Sequence, residues 1–203
     1  MAEVRKEDLS LEGFLAWENA RPERFERVGG VVRMMAGGTA EHDQIAINLA
    51  SELHLRLRGS PCTVHGSNLK VVSPRGDVMY PDVFVRCGPG DPRATQVADP
   101  VLVVEVLSPS TAAFDLTRKR LAYQSIPSLR AVLYVHPDRM RIDLMRRREG
   151  FWVDEEAAEG PDAVLPLPEL AIELPLAAVY EGVPLPEAEE PSMSGRNASG
   201  SEP

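Results

Sequence analysis

The sequence predicts an α/β or α+β fold in which helices flank a central mixed β-sheet. The chain has 203 residues, 43% of them hydrophobic and 26% charged, which is typical of one globular domain with a substantial core. Helix-like and strand-like segments follow one another in the order helix, strands, helix, strands. One segment, Val101 to Leu107, is apolar except for a single glutamate, as expected for a strand buried on both faces.

The N-terminal part of the chain predicts a short helix, a hairpin and a long helix. Residues 9–18 carry apolar side chains at helical spacing. Residues 25–35 read as a hairpin that turns at Gly29 and Gly30. The clearest helix covers residues 39–58, because one apolar stripe recurs every four residues, at Ile45, Leu49, Leu53 and Leu57.

Short strand-like runs follow the long helix. Turn residues such as those of SPRGD and GPGDP separate them, which favours a sheet built mostly from hairpins around one very apolar strand. The predicted strands cover residues 62–65, 69–72, 83–86 and 101–107.

The remaining segments predict one more helix, further strands and a tail. Residues 114–125 are expected to form a helix with four side chains facing inward, namely Leu116, Leu121, Ala122 and Tyr123. Strands are predicted at residues 131–135, 141–146 and 151–153. We therefore expect a single domain over residues 1–182. Residues 183–203 are rich in Pro, Gly, Ser and Glu and are expected to be disordered.

Several features of the sequence predict the cellular compartment of the protein. No apolar run approaches the roughly 20 residues that cross a bilayer, so no membrane association is expected. The first residues mix charges with apolar side chains and do not resemble a secretory signal, which predicts a cytoplasmic protein. Cys62 and Cys87 form no CxxC pattern, so two buried thiols are expected rather than a disulfide or a zinc site.

The net charge of −9 argues against a protein that coats nucleic acid, because binding a polyanion requires local Lys and Arg side chains. The charges are nevertheless segregated along the chain. Basic residues cluster at 118–120 and 139–148, and acidic residues accumulate between 154 and 190. The total charge therefore does not exclude a local basic groove.

Glu105 is the carboxylate inside the most apolar predicted strand, in the segment VLVVEVLSPST. A charged carboxylate in such a strand is costly unless it is paired, hydrogen-bonded or bound to a cation. The loop that follows the strand favours a site at a cavity, since open sheets place ligands at strand ends next to loops. A structural salt bridge is the alternative interpretation.

Asp82 is a second candidate acid, since it begins the short apolar strand of MYPDVFV. A plain turn role is the alternative for this residue. If Asp82 and Glu105 lie at adjacent strand ends, they offer hard oxygen ligands to Mg²⁺, which takes only one or two protein carboxylates. The pair therefore predicts a metal site.

Lys119 is the third candidate. It lies one helical turn after Asp115 and one before Tyr123, so the three share a face of the predicted helix. Part of that helix must pack on the sheet, which draws attention to a lysine there. A solvated surface position is the common alternative for a lysine.

These segments carry a resemblance to a known family. The strings PDVFV and VLVVEVLSPST, followed by a Lys four residues before a Tyr in DLTRKRLAYQSIPSLRAVLYVHPD, resemble the Uma2 or DUF820 family of restriction-endonuclease-like proteins. The resemblance runs from about Leu9 to Tyr180, with the motifs in the family's order. It implies the PD-(D/E)XK nuclease fold and a metal-dependent endonuclease that acts on DNA.

The resemblance also assigns roles. Asp82 matches the Asp of the PD element and Glu105 matches the second acid. The lysine usually found two residues later is absent, because Leu107 stands there, and in Uma2-like sequences its place is taken by a helical lysine, here Lys119. Asp82, Glu105 and the main-chain carbonyl of Val106 are thereby implied as ligands of Mg²⁺ or Mn²⁺.

Two further residues are implied as members of the site. Glu26 falls in an early acidic element of the family, although Gly29 and Val31 stand where that element tends to have acids. His42 falls in the family's EH element at the start of the long helix, with capping or packing as its alternative role. His54, His65 and His136 are interpreted as structural.

Other function classes fit the sequence less well. Ser108 and Ser110 lack a GxSxG elbow, which argues against a serine hydrolase. Only 5% of the residues are aromatic, which argues against a glycosidase. The remaining rival is a non-catalytic binding or assembly module on the same fold. A homodimer is an expectation by analogy, because two sites related by a two-fold axis can cut both strands of a duplex.

Overall fold

The computed structural model of the protein describes residues 3–4, 10–35, 37–108 and 115–185. Over these residues it contains two six-stranded sheets, one two-stranded sheet and several helices. The predicted α/β class with a mixed sheet is confirmed. The second large sheet was not predicted. Of the tail predicted over residues 183–203, only residues 183–185 are described, and two of these, Val183 and Leu185, pack partly against the core.

The three predicted helices are present at the predicted places, and a fourth was not predicted. They are α1 (Leu11–Asn19), α2 (Ala40–Arg56), α3 (Arg120–Gln124) and the unpredicted short α4 (Leu176–Val179). Ser10 caps α1 by accepting the Gly13 N–H at 3.1 Å, and Thr39 caps α2 by accepting the His42 N–H. A π-helical turn, Asp115–Lys119, leads directly into α3.

The N-terminal sheet has the strand order β1-β3-β2-β6-β5-β8. Its strands are β1 (Glu3–Val4), β2 (Phe25–Val28), β3 (Val31–Met34), β5 (Lys70–Val72), β6 (Val78–Met79) and β8 (Gln96–Val97). Strands β2 and β3 form the predicted hairpin, and its turn residues Gly29 and Gly30 have φ angles of 57° and 78°, a conformation that favours glycine.

The central sheet has the order β12-β11-β10-β9-β7-β4. Its strands are β4 (Cys62–Gly66), β7 (Val83–Cys87), β9 (Pro100–Val106), β10 (Ala131–Val135), β11 (Arg141–Arg148) and β12 (Phe151–Glu159). Strands β9 and β10 are parallel, and the other neighbours are antiparallel. A separate hairpin joins β13 (Val164–Leu167) to β14 (Ile172–Pro175).

Strand β9 separates two apolar cores. Leu102, Val104 and Val106 face a core shared with α2, the β13–β14 hairpin and α4. Val103 faces the opposite core, which is shared with the N-terminal sheet and α3. Helix α1 packs on the N-terminal sheet through a third core around Phe14. Because side chains alternate between the two faces of a strand, Glu105 lies on the same face as Val103, toward the N-terminal sheet and α3.

The expected inward face of the third helix is half wrong. Ala122 and Tyr123 are buried, whereas Leu116 and Leu121 are exposed. The prediction assumed α-helical spacing from residue 114 onward, but residues 115–119 follow π-helical spacing, which rotates the preceding side chains relative to α3. Phe114 lies outside the described residues.

The expectation of two free thiols is wrong. Cys62 of β4 and Cys87 of β7 are directly opposite each other in the antiparallel ladder and form a disulfide. The strand register brings the two sulfur atoms together, and register cannot be read from cysteine spacing. Within the described part of the chain, no helix has the length and apolar character needed to cross a membrane.

Candidate active site

The ends of two neighbouring strands carry the two predicted acids. Strands β7 and β9 pair with Val83 opposite Val104, which places Asp82 at the same sheet end as Glu105. The main-chain N–H of Val106 donates to Oδ2 of Asp82 at 2.7 Å. This hydrogen bond ties the PD motif directly to the strand that carries the second acid.

Glu105 is paired rather than exposed. Its side chain is buried, with 3% of the residue accessible to solvent. Nζ of Lys119 donates to Oε1 at 3.1 Å and to Oε2 at 3.3 Å, and the hydroxyl of Tyr123 donates to Oε1. The cost of a carboxylate in an apolar strand is therefore offset by an ammonium group and a phenol.

Lys119 is shared between two carboxylates. Its Nζ also lies 2.9 Å from Oε1 of Glu26 on β2, and the main-chain N–H of Tyr80 donates to that same oxygen at 2.9 Å. Lys119 and Glu26 are both buried. The side chains of Glu26 and Glu105 thus converge on one ammonium from the two large sheets.

The π-helical turn explains how Lys119 reaches this position. Lys119 is the last residue of the turn and is buried, whereas Arg118 just before it is exposed. Arg120, just after it, forms an ion pair with Asp154 at the surface. Of three consecutive basic residues, only the middle one points into the protein.

His42 lies beside Asp82. Its Nε2 is 3.3 Å from Oδ2 of Asp82, and both side chains are partly accessible. The hydrogen bond to Asp82 raises the pKa of His42 above its ordinary value, although partial burial acts in the opposite direction. His42 belongs to the first turn of α2, so the Thr39 cap fixes the helix end that presents it.

A cavity of about 780 Å³ opens onto this end of the central sheet, and we call it the site cavity. Asp82 and His42 form part of its wall, together with Arg24, Met34 and residues around the start of α2. Glu105 and Lys119 do not belong to the wall that the described residues form. A molecule in the site cavity therefore meets Asp82 and His42 first.

The residues present suit a divalent metal ion in their chemistry. Two carboxylates, those of Glu26 and Glu105, contact one ammonium, and the carboxylate of Asp82 lies at the same sheet end, so the acids outnumber the lysine and leave negative charge that a cation can neutralise. Oδ2 of Asp82 takes the contacts with Val106 and His42, and the described residues offer no hydrogen bond to Oδ1. Mg²⁺ needs only one or two protein carboxylates and keeps several waters.

The site lacks the dense ligand set of a structural metal centre. Among the described residues, no three His, Cys, Asp or Glu side chains are arranged to hold a metal ion. A cation at Glu105 would compete with Lys119 for the carboxylate oxygens. The set therefore fits an ion held by few protein ligands, with Lys119 sharing Glu105.

The structure brings all the predicted site residues together in two linked groups. Glu105, Lys119 and Glu26 form the buried group, and Asp82, His42 and the Val106 main chain form the group at the site cavity. Of the other histidines, His65 stacks on Phe84 and His136 pairs with Asp143, whereas His54 is exposed on α2.

Sequence reasoning missed a polar cluster next to this site. The carboxylate of Glu18 accepts hydrogen bonds from Lys70 and from the hydroxyl of Tyr80, both at 2.6 Å. The sequence could have pointed to both Glu18 and Lys70. Glu18 is the last residue of the inward-facing stripe of α1, and Lys70 is a charged residue in an apolar strand. The main-chain N–H of Tyr80 links this cluster to Glu26.

The chain shares its fold with a solved structure. A solved structure described as "a putative nuclease belonging to DUF820", from Anabaena variabilis, superposes with a TM-score of 0.70 at 18% sequence identity, covering 86% of this chain and 98% of that one. At this identity the likeness shows the fold alone, which is the restriction-endonuclease-like fold.

The family follows from the sequence comparison. The family model Uma2, described as "Putative restriction endonuclease", matches residues 11–178, and the chain belongs to this family. Two relatives come from Synechocystis. Uncharacterized protein slr1290 is 36% identical over 148 residues, 71% of this chain and 78% of the relative, and uncharacterized protein sll1609 is 29% identical over 133 residues, 63% and 74% of the two chains.

Proposed function

We propose that this protein is a metal-dependent endonuclease that hydrolyses phosphodiester bonds in DNA. The observation that carries the proposal is the meeting of the three separated motifs at one end of the central sheet. Lys119 contacts Glu105 at 3.1 Å, and the strand of Glu105 holds Asp82 through the Val106 N–H at 2.7 Å. Membership of the Uma2 family and the restriction-endonuclease-like fold support a nuclease.

Asp82, Glu105 and the main-chain carbonyl of Val106 are the proposed ligands of Mg²⁺ or Mn²⁺. When bound, such an ion lowers the pKa of a water molecule and offsets the charge that grows on the scissile phosphate. The Val106 N–H keeps the Asp82 carboxylate in a fixed position, and Tyr123 does the same for Glu105. These hydrogen bonds preorganise the two acids.

Lys119 supplies the positive charge of the protein itself. Its proposed role is to orient the attacking water or to stabilise the oxygens of the phosphorane-like transition state, where a fixed cation in a dry site is most effective. Glu26 holds the ammonium from the second sheet at 2.9 Å, so its proposed role is to position Lys119. His42 orients Asp82 at the wall of the site cavity.

A plasmid cleavage assay tests this function. The parent chain is incubated with supercoiled DNA and Mg²⁺ or Mn²⁺, in parallel with Asp82→Asn and Glu105→Gln, which remove one charge each and keep the side-chain shape. We expect nicked or linear DNA with the parent alone and none in EDTA. Equal cleavage by all three proteins would show that the activity does not depend on Asp82 and Glu105, which would refute their assignment.

The rival function is a non-catalytic binding or assembly module. The closed ion pair of Lys119 and Glu105 is the feature that favours it, because such a pair can serve stability alone. A melting experiment separates the two functions. A metal site predicts a higher melting temperature with Mn²⁺, and Asp82→Asn is expected to abolish this increase.

A homodimer in the cytoplasm is also part of the proposal. Light scattering measures the oligomeric state.

A further inference from the structure

Two cavities meet at the loop between α1 and β2. Besides the site cavity, a second cavity of about 400 Å³, which we call the side cavity, opens between α1 and β5. Pro22, Glu23 and Arg24 belong to the walls of both cavities. An extended molecule bound at Asp82 can therefore continue past Arg24 into the side cavity.

The side cavity has a rigid floor. Glu18, Lys70 and Tyr80 are each more than nine-tenths buried. Lys70 donates to Glu18 at 2.6 Å and to Oδ1 of Asn19 at 2.9 Å, and Tyr80 donates to Glu18 at 2.6 Å. Burial raises the pKa of the Tyr80 phenol above its ordinary value, so it stays a hydrogen-bond donor. The floor is fixed and carries balanced charges.

The rim of the side cavity is positively charged. Arg24 donates to the main-chain oxygen of Ser67 at 3.1 Å and to the Asn68 side chain, and Arg21 donates to the Trp17 carbonyl at 2.7 Å and lies over the Trp17 ring. Over the described residues, neither guanidinium has a carboxylate within ion-pair distance, in contrast to Arg86 and other paired arginines.

The acidic member of the shared wall is Glu23, and Arg21 and Arg24 also line the side cavity. A guanidinium held in place by neutral acceptors keeps its full charge and retains N–H groups for a planar, bidentate contact with phosphate. The rim therefore suits an anionic oxygen group more than a carboxamide or an apolar ligand.

We propose that Arg24 and Arg21 each bind a backbone phosphate of the DNA strand, beside the phosphate at Asp82. The strand enters the site cavity, places its scissile phosphate at Asp82 and passes over Arg24 to the side cavity. This subsite rests on the proposed nuclease function for the identity of the strand. The two arginines give the protein a local positive charge that attracts a polyanion, although the net charge of the chain is −9.

The test is DNA binding measured by fluorescence anisotropy with a labelled oligonucleotide, single-stranded and duplex, at several salt concentrations. Glu105→Gln in Mg²⁺ serves as the background, so that binding is separated from cleavage, and the parent in EDTA replaces it if that variant does not fold. We expect Arg24→Gln and Arg21→Gln each to weaken binding roughly fivefold and to reduce the salt slope by roughly 0.7 to 0.9.

Two controls exclude a structural explanation. Arg24→Lys keeps the charge and is expected to keep the salt slope, whereas loss of a packing contact would lower affinity with no change of slope. Arg58→Gln removes the same charge beyond the far end of α2, roughly 20 Å from His42, and is expected to leave affinity unchanged.

The outcomes separate the subsite from the catalytic assignment. The subsite alone is overturned if the parent cuts DNA and the variants Arg24→Gln and Arg21→Gln bind DNA with the affinity and the salt slope of the parent. Arg24-dependent binding without any cleavage supports the subsite and overturns the nuclease function. Absence of DNA binding at low salt overturns the subsite.

Discussion

Nζ of Lys119 lies 3.1 Å from Oε1 of Glu105, joining a helix to the most apolar strand of the central sheet. Because Lys119 also contacts Glu26, it holds two buried carboxylates that would otherwise repel each other. The Lys119 ammonium therefore contributes both to the stability of the fold and to the proposed cleavage reaction. Mutations can separate these two contributions.

Lys119→Met is expected to abolish cleavage and to lower the free energy of unfolding by about 3–5 kcal/mol, the usual cost of leaving a buried charge without its partner. Chemical denaturation measures the stability. Adding Glu26→Gln to the variant is expected to recover part of the stability, since it removes one of the two facing charges, but no cleavage. Wild-type stability of Lys119→Met would contradict the buried triad.

Tyr123→Phe removes only the hydroxyl that donates to Glu105. We expect a stability loss of about 1.5–3 kcal/mol, typical of a buried hydrogen bond to a charged group, together with slower cleavage and a higher Mg²⁺ concentration for half-maximal rate. Tyr180→Phe is the matched control, because this buried hydroxyl bonds main-chain oxygens of His136 and Arg141. Equal cleavage losses in both variants would show that Tyr123 acts through stability alone.

The disulfide between Cys62 and Cys87 closes a loop in the chain and is expected to stabilise the fold by about 3 kcal/mol. The double variant Cys62→Ala, Cys87→Ala and the reduced parent should both unfold at lower denaturant. Thiol titration of the unreduced, unfolded parent is expected to find no free thiol. Two titratable thiols would restore the original prediction, which also suits a reducing cytoplasm better.

His65 provides a pH-dependent stability test away from the site. Partial burial lowers the pKa of His65 below its ordinary value, and the charge of Arg86 acts in the same direction. The unfolded chain therefore binds a proton more readily, so this contribution to stability is complete above pH ~6.5 and is lost as the pH falls through the folded-state pKa. His65→Gln should lose less stability than the parent between pH 8 and 5.5, and His54→Gln should follow the parent. Parallel curves for the parent and His65→Gln would contradict the burial of this ring.

The sequence predicted the parts of the fold that have a clear period. The stripe Ile45, Leu49 and Leu53 fixed α2, and the apolar run of β9 identified the centre of the sheet. The two-residue strands β6 and β8 escaped prediction, because two residues carry no period. Strand β6 connects the predicted β2–β3 hairpin to β5, so the parts of the N-terminal sheet were predicted but not their assembly into a sheet.

The sequence singled out residues that the structure brings close together, although their roles stay a prediction. An acid in an apolar strand is conspicuous, and Lys119 was ranked through the family's motif order. The partners of these residues depend on distant contacts, such as the one between Lys119 and Glu26, which join different sheets. The exposure of Leu116 and Leu121 follows from a π-helical turn, which helical periodicity does not predict.

The most direct test of the metal site is anomalous diffraction from crystals of this protein soaked in Mn²⁺. The account predicts one strong anomalous peak in contact with the carboxylates of Asp82 and Glu105, absent in Asp82→Asn crystals grown in the same way. A map with no peak there, or with Mn²⁺ bound only elsewhere, would contradict a metal-dependent nuclease centred on these residues.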